Sequence, residues 1–167
     1  MKKTIFMLAG LASMLAVVPA AQAAAVTGNF NVTVSLTSVC TMATVNDLAF
    51  GSYTAYQSGA QVATPTTATL SCTRGLTGFT AAFDTAAAGS TAAATATNAV
   101  GAGVLAGLQY DITATPGAVT GGTAATASSI GTSESHAYTI SGTMPSSQAG
   151  VLSAGVQTQA RTLTITY

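Results

Sequence analysis

The stretch AVTGNFNVTVSLTSVC, from Ala25 to Cys40, indicates the fold class of this chain. Its even-numbered positions 26–36 are apolar or glycine, and its odd-numbered positions 27–35 are polar. This period-two alternation is typical of a β-strand that buries one face. Ordinary strands have about five or six residues. The stretch therefore predicts a strand that is longer than one local pairing needs.

The residues before this stretch have the form of an export signal. Lys2-Lys3 gives a basic start, residues 5–18 form an apolar run, and Ala21-Gln22-Ala23 has the small-x-small form of a signal-peptidase site. We therefore expect a signal peptide over residues 1–23, cleaved after Ala23, and one exported domain over residues 24–167 without a transmembrane segment. An uncleaved membrane anchor, which needs about 20 apolar residues, is the alternative.

Charge is scarce, since charged residues make up 5% of the sequence. Beyond the expected cleavage site the strong bases are Arg74 and Arg161, against the four acids Asp47, Asp84, Asp111 and Glu134. A nucleic-acid-binding surface needs clustered lysine and arginine. The composition therefore excludes that class of partner.

The two cysteines, Cys40 and Cys72, are expected to form a disulfide. An exported protein meets an oxidising compartment, where such pairs are oxidised. In the chain-entropy account, closing a loop of about 33 residues adds about 3 to 4 kcal/mol to the free energy of unfolding. A metal site is the alternative, but two cysteines and the single His136 supply too few ligands.

The rest of the chain alternates short apolar runs with turn-forming residues and shows little helical periodicity, which predicts an all-β antiparallel sandwich. Two stretches rich in Ala, Thr and Gly, Thr85–Gly103 and Ala114–Ser135, are expected to be long surface connections that could add edge strands. The candidate strands after Cys40 are Leu48–Tyr53, Thr66–Cys72, Phe79–Asp84, Val104–Thr113, Ala137–Thr143 and Thr158–Tyr167.

The last of these runs alternates up to the final residue. Leu163, Ile165 and Tyr167 are separated by threonines. Terminal residues fray unless they are tied into a sheet. We therefore expect a neighbour beside this strand that the remaining chain does not supply.

Motifs for enzyme chemistry are weak. Gly101-Ala-Gly103-Val-Leu-Ala106 fits the glycine pattern of a dinucleotide-binding turn, but it follows an Ala/Thr linker and no acidic residue lies near position 120. No Gly-x-Ser-x-Gly motif occurs, and the acids are scattered singly. We expect no catalytic residues, no metal, no cofactor and no enzymatic activity.

Six segments together carry a family resemblance: the first strand up to Cys40, Leu48-Ala-Phe50-Gly51-Ser-Tyr53, Leu70-Ser-Cys72, Leu108-Gln-Tyr110-Asp111-Ile, Ile140-Ser-Gly142-Thr-Met144-Pro145-Ser-Ser-Gln148, and Gly155 followed by a strand ending in Tyr167. In this order they resemble the spore coat protein U domain, which is the domain of archaic chaperone-usher pilins. The resemblance covers nearly all of the exported chain. One departure is Gly155-Val-Gln157-Thr-Gln159, where that family often has Gly-x-Tyr-x-Asp.

The resemblance implies an immunoglobulin-like sandwich that lacks its last strand and is completed by the N-terminal strand of a neighbouring subunit. It implies a donor strand over residues 25–38, and it implies an acceptor edge in the last strand. The partners it implies are identical or related pilin subunits, a periplasmic chaperone and an outer-membrane usher, and the function it implies is a surface pilus for adhesion or biofilm formation. The donor face would be Phe30, Val32, Val34 and Leu36, and the acceptor edge would include Leu163, Ile165 and Tyr167.

Other interpretations remain open at this point. Residues 25–40 would also suit the first strand of a complete sandwich. The protein would then be a secreted coat or matrix protein, or a tip adhesin. An adhesin is expected to carry a second domain or exposed large apolar loop residues.

Overall fold

The computed structural model describes residues 25–84, 91–94, 99–152 and 155–167. The predicted signal peptide and its cleavage site lie outside these residues. The chain divides into two units, Met1–Ser35 and Leu36–Tyr167. Within the described ranges the second unit contains no helix. Its strands are β1 (Cys40–Met42), β2 (Gln61–Val62), β3 (Thr66–Cys72), β4 (Thr80–Phe83), β5 (Thr91–Ala94), β6 (Ala99–Leu105), β7 (Leu108–Pro116), β8 (Thr120–Gly121), β9 (Glu134–Met144) and β10 (Leu163–Thr166).

Eight of these strands form one sheet, and all of its pairings are antiparallel. Its order is β1-β3-β9-β7-β6-β5, and the short strands β2 and β8 also pair with β9. Strands β4 and β10 form a second, two-stranded antiparallel sheet. The prediction of an all-β chain of antiparallel strands is confirmed.

Both sheets contribute to one hydrophobic core. In β9 the inward positions 136, 138, 140, 142 and 144 are buried and alternate with more exposed neighbours. Ala81 and Phe83 of β4 belong to the same buried cluster as Tyr138 and Ile140 of β9. Two sheets that each bury one face against a shared core are typical of a sandwich.

The predicted disulfide is confirmed. Cys40 and Cys72 are bonded and lie opposite each other in the pairing of β1 with β3. Their Cα atoms are 4.1 Å apart. The bond ties the first, three-residue strand of the larger sheet to its longer neighbour.

Most predicted strands after Cys40 have counterparts, but two predictions are wrong. The predicted strand Leu48–Tyr53 forms only one bridge, between Ala49 and Thr64. Leu48 and Phe50 instead pack as side chains against Gly142, where an added Cβ would lie 2.8 Å from the Phe50 ring. Side-chain alternation was predicted correctly there, but among the described residues the backbone pairing does not extend beyond this bridge.

The predicted strand Val104–Thr113 is a hairpin between β6 and β7. Its turn consists of Ala106 and Gly107, which have φ angles of 53° and 70°, and Leu105 pairs with Leu108. Two central residues with positive φ give the turn that matches strand twist. The usual Asn-Gly signal is missing, because alanine occupies the first of these positions.

The two stretches predicted as connections contain strands. The first includes β5 and most of β6, although residues 85–90 and 95–98 lie outside the described part. The second includes the end of β7, β8 and the start of β9. Small residues can pair here because the ladder consists of backbone hydrogen bonds. Gly103 has no Cβ, so the Tyr110 ring packs directly against its Cα.

Candidate functional site

Residues 25–39 carry no assigned strand, and β1 begins only at Cys40. The sequence predicted a strand here. Phe30, Val32 and Val34 are 85%, 85% and 93% exposed, and Leu36 is also largely exposed. Alternation thus places a row of apolar side chains in water. Burying such a side chain contributes about 1.5 to 3 kcal/mol, so an exposed row is characteristic of an interaction segment.

The edge of β10 is open on one side. Leu163 pairs with Phe83 and Ile165 with Ala81 across the β4 ladder. No described strand pairs with the opposite edge of β10. Such an edge presents unpaired N–H and C=O groups to which another strand can add. Leu163 and Ile165 are only half-buried against the core, whereas Thr164 and Thr166 are exposed.

Other large apolar side chains of the core are also incompletely buried. Val45, Leu48 and Phe50, from the segment after β1, pack against the buried cluster but remain half-exposed. The ring of Phe50 lies 5.8 Å from that of Tyr110. The core is therefore covered on the face of the larger sheet and less completely around β10 and the β1–β2 connection.

An arginine cluster fixes the start of β10, and sequence reasoning missed it. The guanidinium of Arg161 donates to Asp84 Oδ1 at 2.8 Å, to the Asp84 carbonyl at 2.9 Å and to the Tyr110 hydroxyl at 2.8 Å. A longer contact of 3.3 Å reaches the Ala102 carbonyl. The Tyr110 hydroxyl in turn donates to Gln159.

The cluster joins both sheets, since Asp84 follows β4, Ala102 lies in β6 and Tyr110 in β7. The hydrogen bond from Arg161 holds the pKa of Asp84 below its usual value of 3.8. Both side chains of the pair are mostly buried. The sequence offered one indication: Arg161 is one of two arginines and lies just before the last alternating run.

Tyr167 fixes the other end of β10. Its hydroxyl accepts a hydrogen bond from the Cys40 N–H at 3.0 Å, and its ring centroid lies 5.9 Å from that of Phe79. The structure therefore brings the predicted acceptor residue Tyr167 to the predicted disulfide residue Cys40. Cys40 is also the first residue of β1, directly after the exposed segment.

Hydrogen bonds of Gln148 and Tyr53 hold the connection that follows β9 in place. The Gln148 side chain accepts from the Gln109 N–H at 2.6 Å and donates to the Gln109 carbonyl at 3.0 Å. The Tyr53 hydroxyl donates to the Pro145 carbonyl at 2.7 Å and accepts from the Gln148 N–H at 3.1 Å. Both residues belong to segments that carry the family resemblance, and here both have structural partners.

The cavity near His136 offers little chemistry. It measures about 240 Å³ and is lined mainly by apolar side chains, including Leu76, Phe79 and Val119. His136 Nε2 is buried without a hydrogen-bond partner and lies 3.8 Å from Glu134 Oε2. The part of the chain that the structure describes holds no group of three or more His, Cys, Asp or Glu residues placed to bind a metal.

No described helix has the length and apolar character needed to cross a membrane. Comparison of the chain with protein-family models, curated proteins and solved structures gave no match. The resemblance to the spore coat protein U domain therefore stays a prediction that is based on the quoted segments alone.

Proposed function

We propose that this protein is a structural subunit of a surface fibre in which residues 25–38 of one subunit complete the sandwich of the next. The observation that carries the proposal is the exposed apolar row Phe30, Val32, Val34 and Leu36. A strand with this alternation is suited to bury one face in a neighbour and to leave its polar face in water.

The open edge of β10 supports an acceptor role for the same chain. An added strand would complete the hydrogen bonds of that edge and cover Leu163 and Ile165. Main-chain bonds would supply affinity, and alternate side chains would supply specificity. An immunoglobulin-like sandwich completed in this way is part of the proposal.

The free energy gained by burying the donor face is large enough for a persistent contact. Four apolar side chains at about 1.5 to 3 kcal/mol each give a gross gain of about 6 to 12 kcal/mol on burial. Ordering the donor segment and restricting the subunits reduce this gain. Main-chain hydrogen bonds along the edge add to it, so a fibre contact of this kind needs no external energy source to persist.

The predicted export signal indicates where assembly would occur. In the proposed pathway a periplasmic chaperone protects the open edge with its own strand, and an outer-membrane usher exchanges that strand for the donor of the next subunit. The resulting pilus would serve adhesion or biofilm formation at the cell surface.

The test compares two charged substitutions on opposite faces of the donor. Val34→Arg places an unpaired charge in an apolar groove, which costs several kcal/mol, whereas Thr33→Arg places the charge in water. Electron microscopy of surface material should show fibres for Thr33→Arg and none for Val34→Arg, with equal export of both variants. Normal fibres from Val34→Arg would refute strand donation and would favour a coat or matrix protein with a complete sandwich.

A further inference from the structure

The cavity beside His136 is suited to binding rather than to catalysis. It lies where the β3–β4 and β7–β8 connections approach β9. An apolar cavity of about 150 Å³ is enough to hold benzene, and this one measures about 240 Å³. A single aromatic ring therefore fits. Its larger wall side chains are Leu76, Phe79, Pro116, Val119, His136 and Tyr138.

One buried polar atom in this wall has no partner. His136 is 8% exposed, and among the residues that the structure describes its Nε2 is the one buried side-chain nitrogen or oxygen without a hydrogen bond. Glu134 Oε2 lies 3.8 Å away, beyond hydrogen-bond distance, and already accepts from the Gly75 N–H at 3.0 Å. An unpaired buried polar atom is costly. A hydroxyl group held in the cavity would remove that cost.

The wall favours an aromatic ligand over an aliphatic one. The rings of Phe79 and His136 lie 4.2 Å apart, tilted by 33°, and both border the cavity together with the ring of Tyr138. Burial raises the pKa of Tyr138 above its usual value of 10.0, which indicates surroundings of low polarity. Aromatic rings attract one another in offset and edge-to-face arrangements beyond the gain from burial.

The polar group of the ligand should be neutral. A carboxylate would be repelled by Glu134, and an ammonium group would lose its hydration in an apolar wall. An imidazole nitrogen either donates or accepts, according to its protonation, whereas a hydroxyl does both. A hydroxyl therefore pairs with His136 Nε2 in either state, and no existing hydrogen bond of Nε2 has to break.

We propose that this cavity binds a small phenol, with the ring against Phe79 and Tyr138 and the hydroxyl paired with His136 Nε2. The binding is separate from the proposed fibre and does not depend on it. A ligand of this size gains little free energy, so a dissociation constant on the order of 1 mM is expected.

The test uses NMR spectroscopy of the full exported chain. His136 is the single histidine of the sequence, so its ring C–H signals are identified directly. Adding phenol should shift them saturably. Toluene has a similar shape and lacks the hydroxyl. The ratio of phenol to toluene affinity, measured by saturation transfer to the ligand, should fall about tenfold in His136→Phe, which removes the hydrogen bond. An unchanged ratio would overturn the proposed pairing.

A second pair of variants tests the location. Val119 and Val62 are both exposed valines. Val119 borders the cavity, whereas Val62 lies opposite Thr143, toward the other end of β9 from His136. Val119→Trp should cover the cavity and weaken phenol binding at least tenfold, and Val62→Trp should leave it unchanged.

Circular dichroism and the intact disulfide establish that each variant is folded. If phenol gives no saturable shift of the His136 signals, or binds equally well to Val119→Trp and to wild type, the cavity is not a phenol site. Loss of fibres in any donor-strand variant leaves this inference untouched, because the measurement is made on single chains.

Discussion

Appending a copy of residues 26–36 after Tyr167 through a flexible four-residue linker should let one subunit complete itself. A linker of this length suits a hairpin, so the added strand would run antiparallel to β10 along its open edge. The side chains equivalent to Phe30, Val32, Val34 and Leu36 would then cover Leu163 and Ile165.

The expected gain follows from the burial of these four side chains. Their gross contribution is about 6 to 12 kcal/mol, from which the ordering of eleven residues at about 1 kcal/mol or more each must be subtracted. New backbone hydrogen bonds, at about 0.5 to 1.5 kcal/mol each, offset part of that cost. With about four such bonds along the four-residue β10, the middle of these ranges gives a net increase of about 2 kcal/mol in the free energy of unfolding.

The assay is chemical denaturation followed by circular dichroism, together with analytical ultracentrifugation. The extended protein should be monomeric, should unfold at a clearly higher denaturant concentration, and should not accept a donor peptide of residues 25–38 added in trans. A matched control appends the same strand with arginine at the position equivalent to Val34, which should give no stabilisation. Equal unfolding midpoints for the two extended proteins, with fibres still growing from both, would refute donor-strand completion.

Three further predictions concern the described contacts. Replacing both Cys40 and Cys72 by serine should lower the free energy of unfolding by about 3 to 4 kcal/mol, measured by denaturation, and an unchanged midpoint would contradict the role of the disulfide. Asp84→Asn removes the charged partner of Arg161 and should lower stability by about 1 to 3 kcal/mol at neutral pH. The folded-state pKa of Asp84 lies below 3.8. The contribution of ionised Asp84 to the stability of the fold is therefore complete above the unfolded-state pKa. It is lost as the pH falls through the folded-state pKa. The acid loss of stability should therefore be smaller in Asp84→Asn than in wild type. Ala106→Asn, at a φ of 53°, should raise stability by about 1 kcal/mol; a decrease would show that the methyl group of Ala106 matters more than its backbone conformation.

Local patterns predicted the parts of the fold that are determined locally. Strand β3 has the predicted bounds Thr66–Cys72 because Ala68, Leu70 and Cys72 alternate with polar residues and all three enter the core. The disulfide followed from the cysteine count and the expected compartment. Leu48–Tyr53 shows the limit of this reasoning, since alternation predicts which side chains face the core and not whether a partner strand is present.

The sequence patterns did not predict the long-range contacts. Asp84 and Arg161 are 77 residues apart, and neither lies in a recognisable motif. The strands β5 and β8 consist of Ala, Thr and Gly, so their formation depends on the partners that β6 and β9 offer. The predicted donor face and acceptor edge were selected by alternation, but which surface each one meets in an assembly remains part of the proposal.

The anchoring of β10 bears directly on how an open edge would function. A four-residue strand with one paired edge and two half-buried side chains has little to keep it from fraying. Arg161 fixes its first end through Asp84 and Tyr110, and the Tyr167 hydroxyl fixes its last end through the Cys40 N–H. Cys40 is itself bonded to Cys72. An edge held at both ends before a partner arrives loses less conformational entropy on binding, so these anchors should strengthen strand addition.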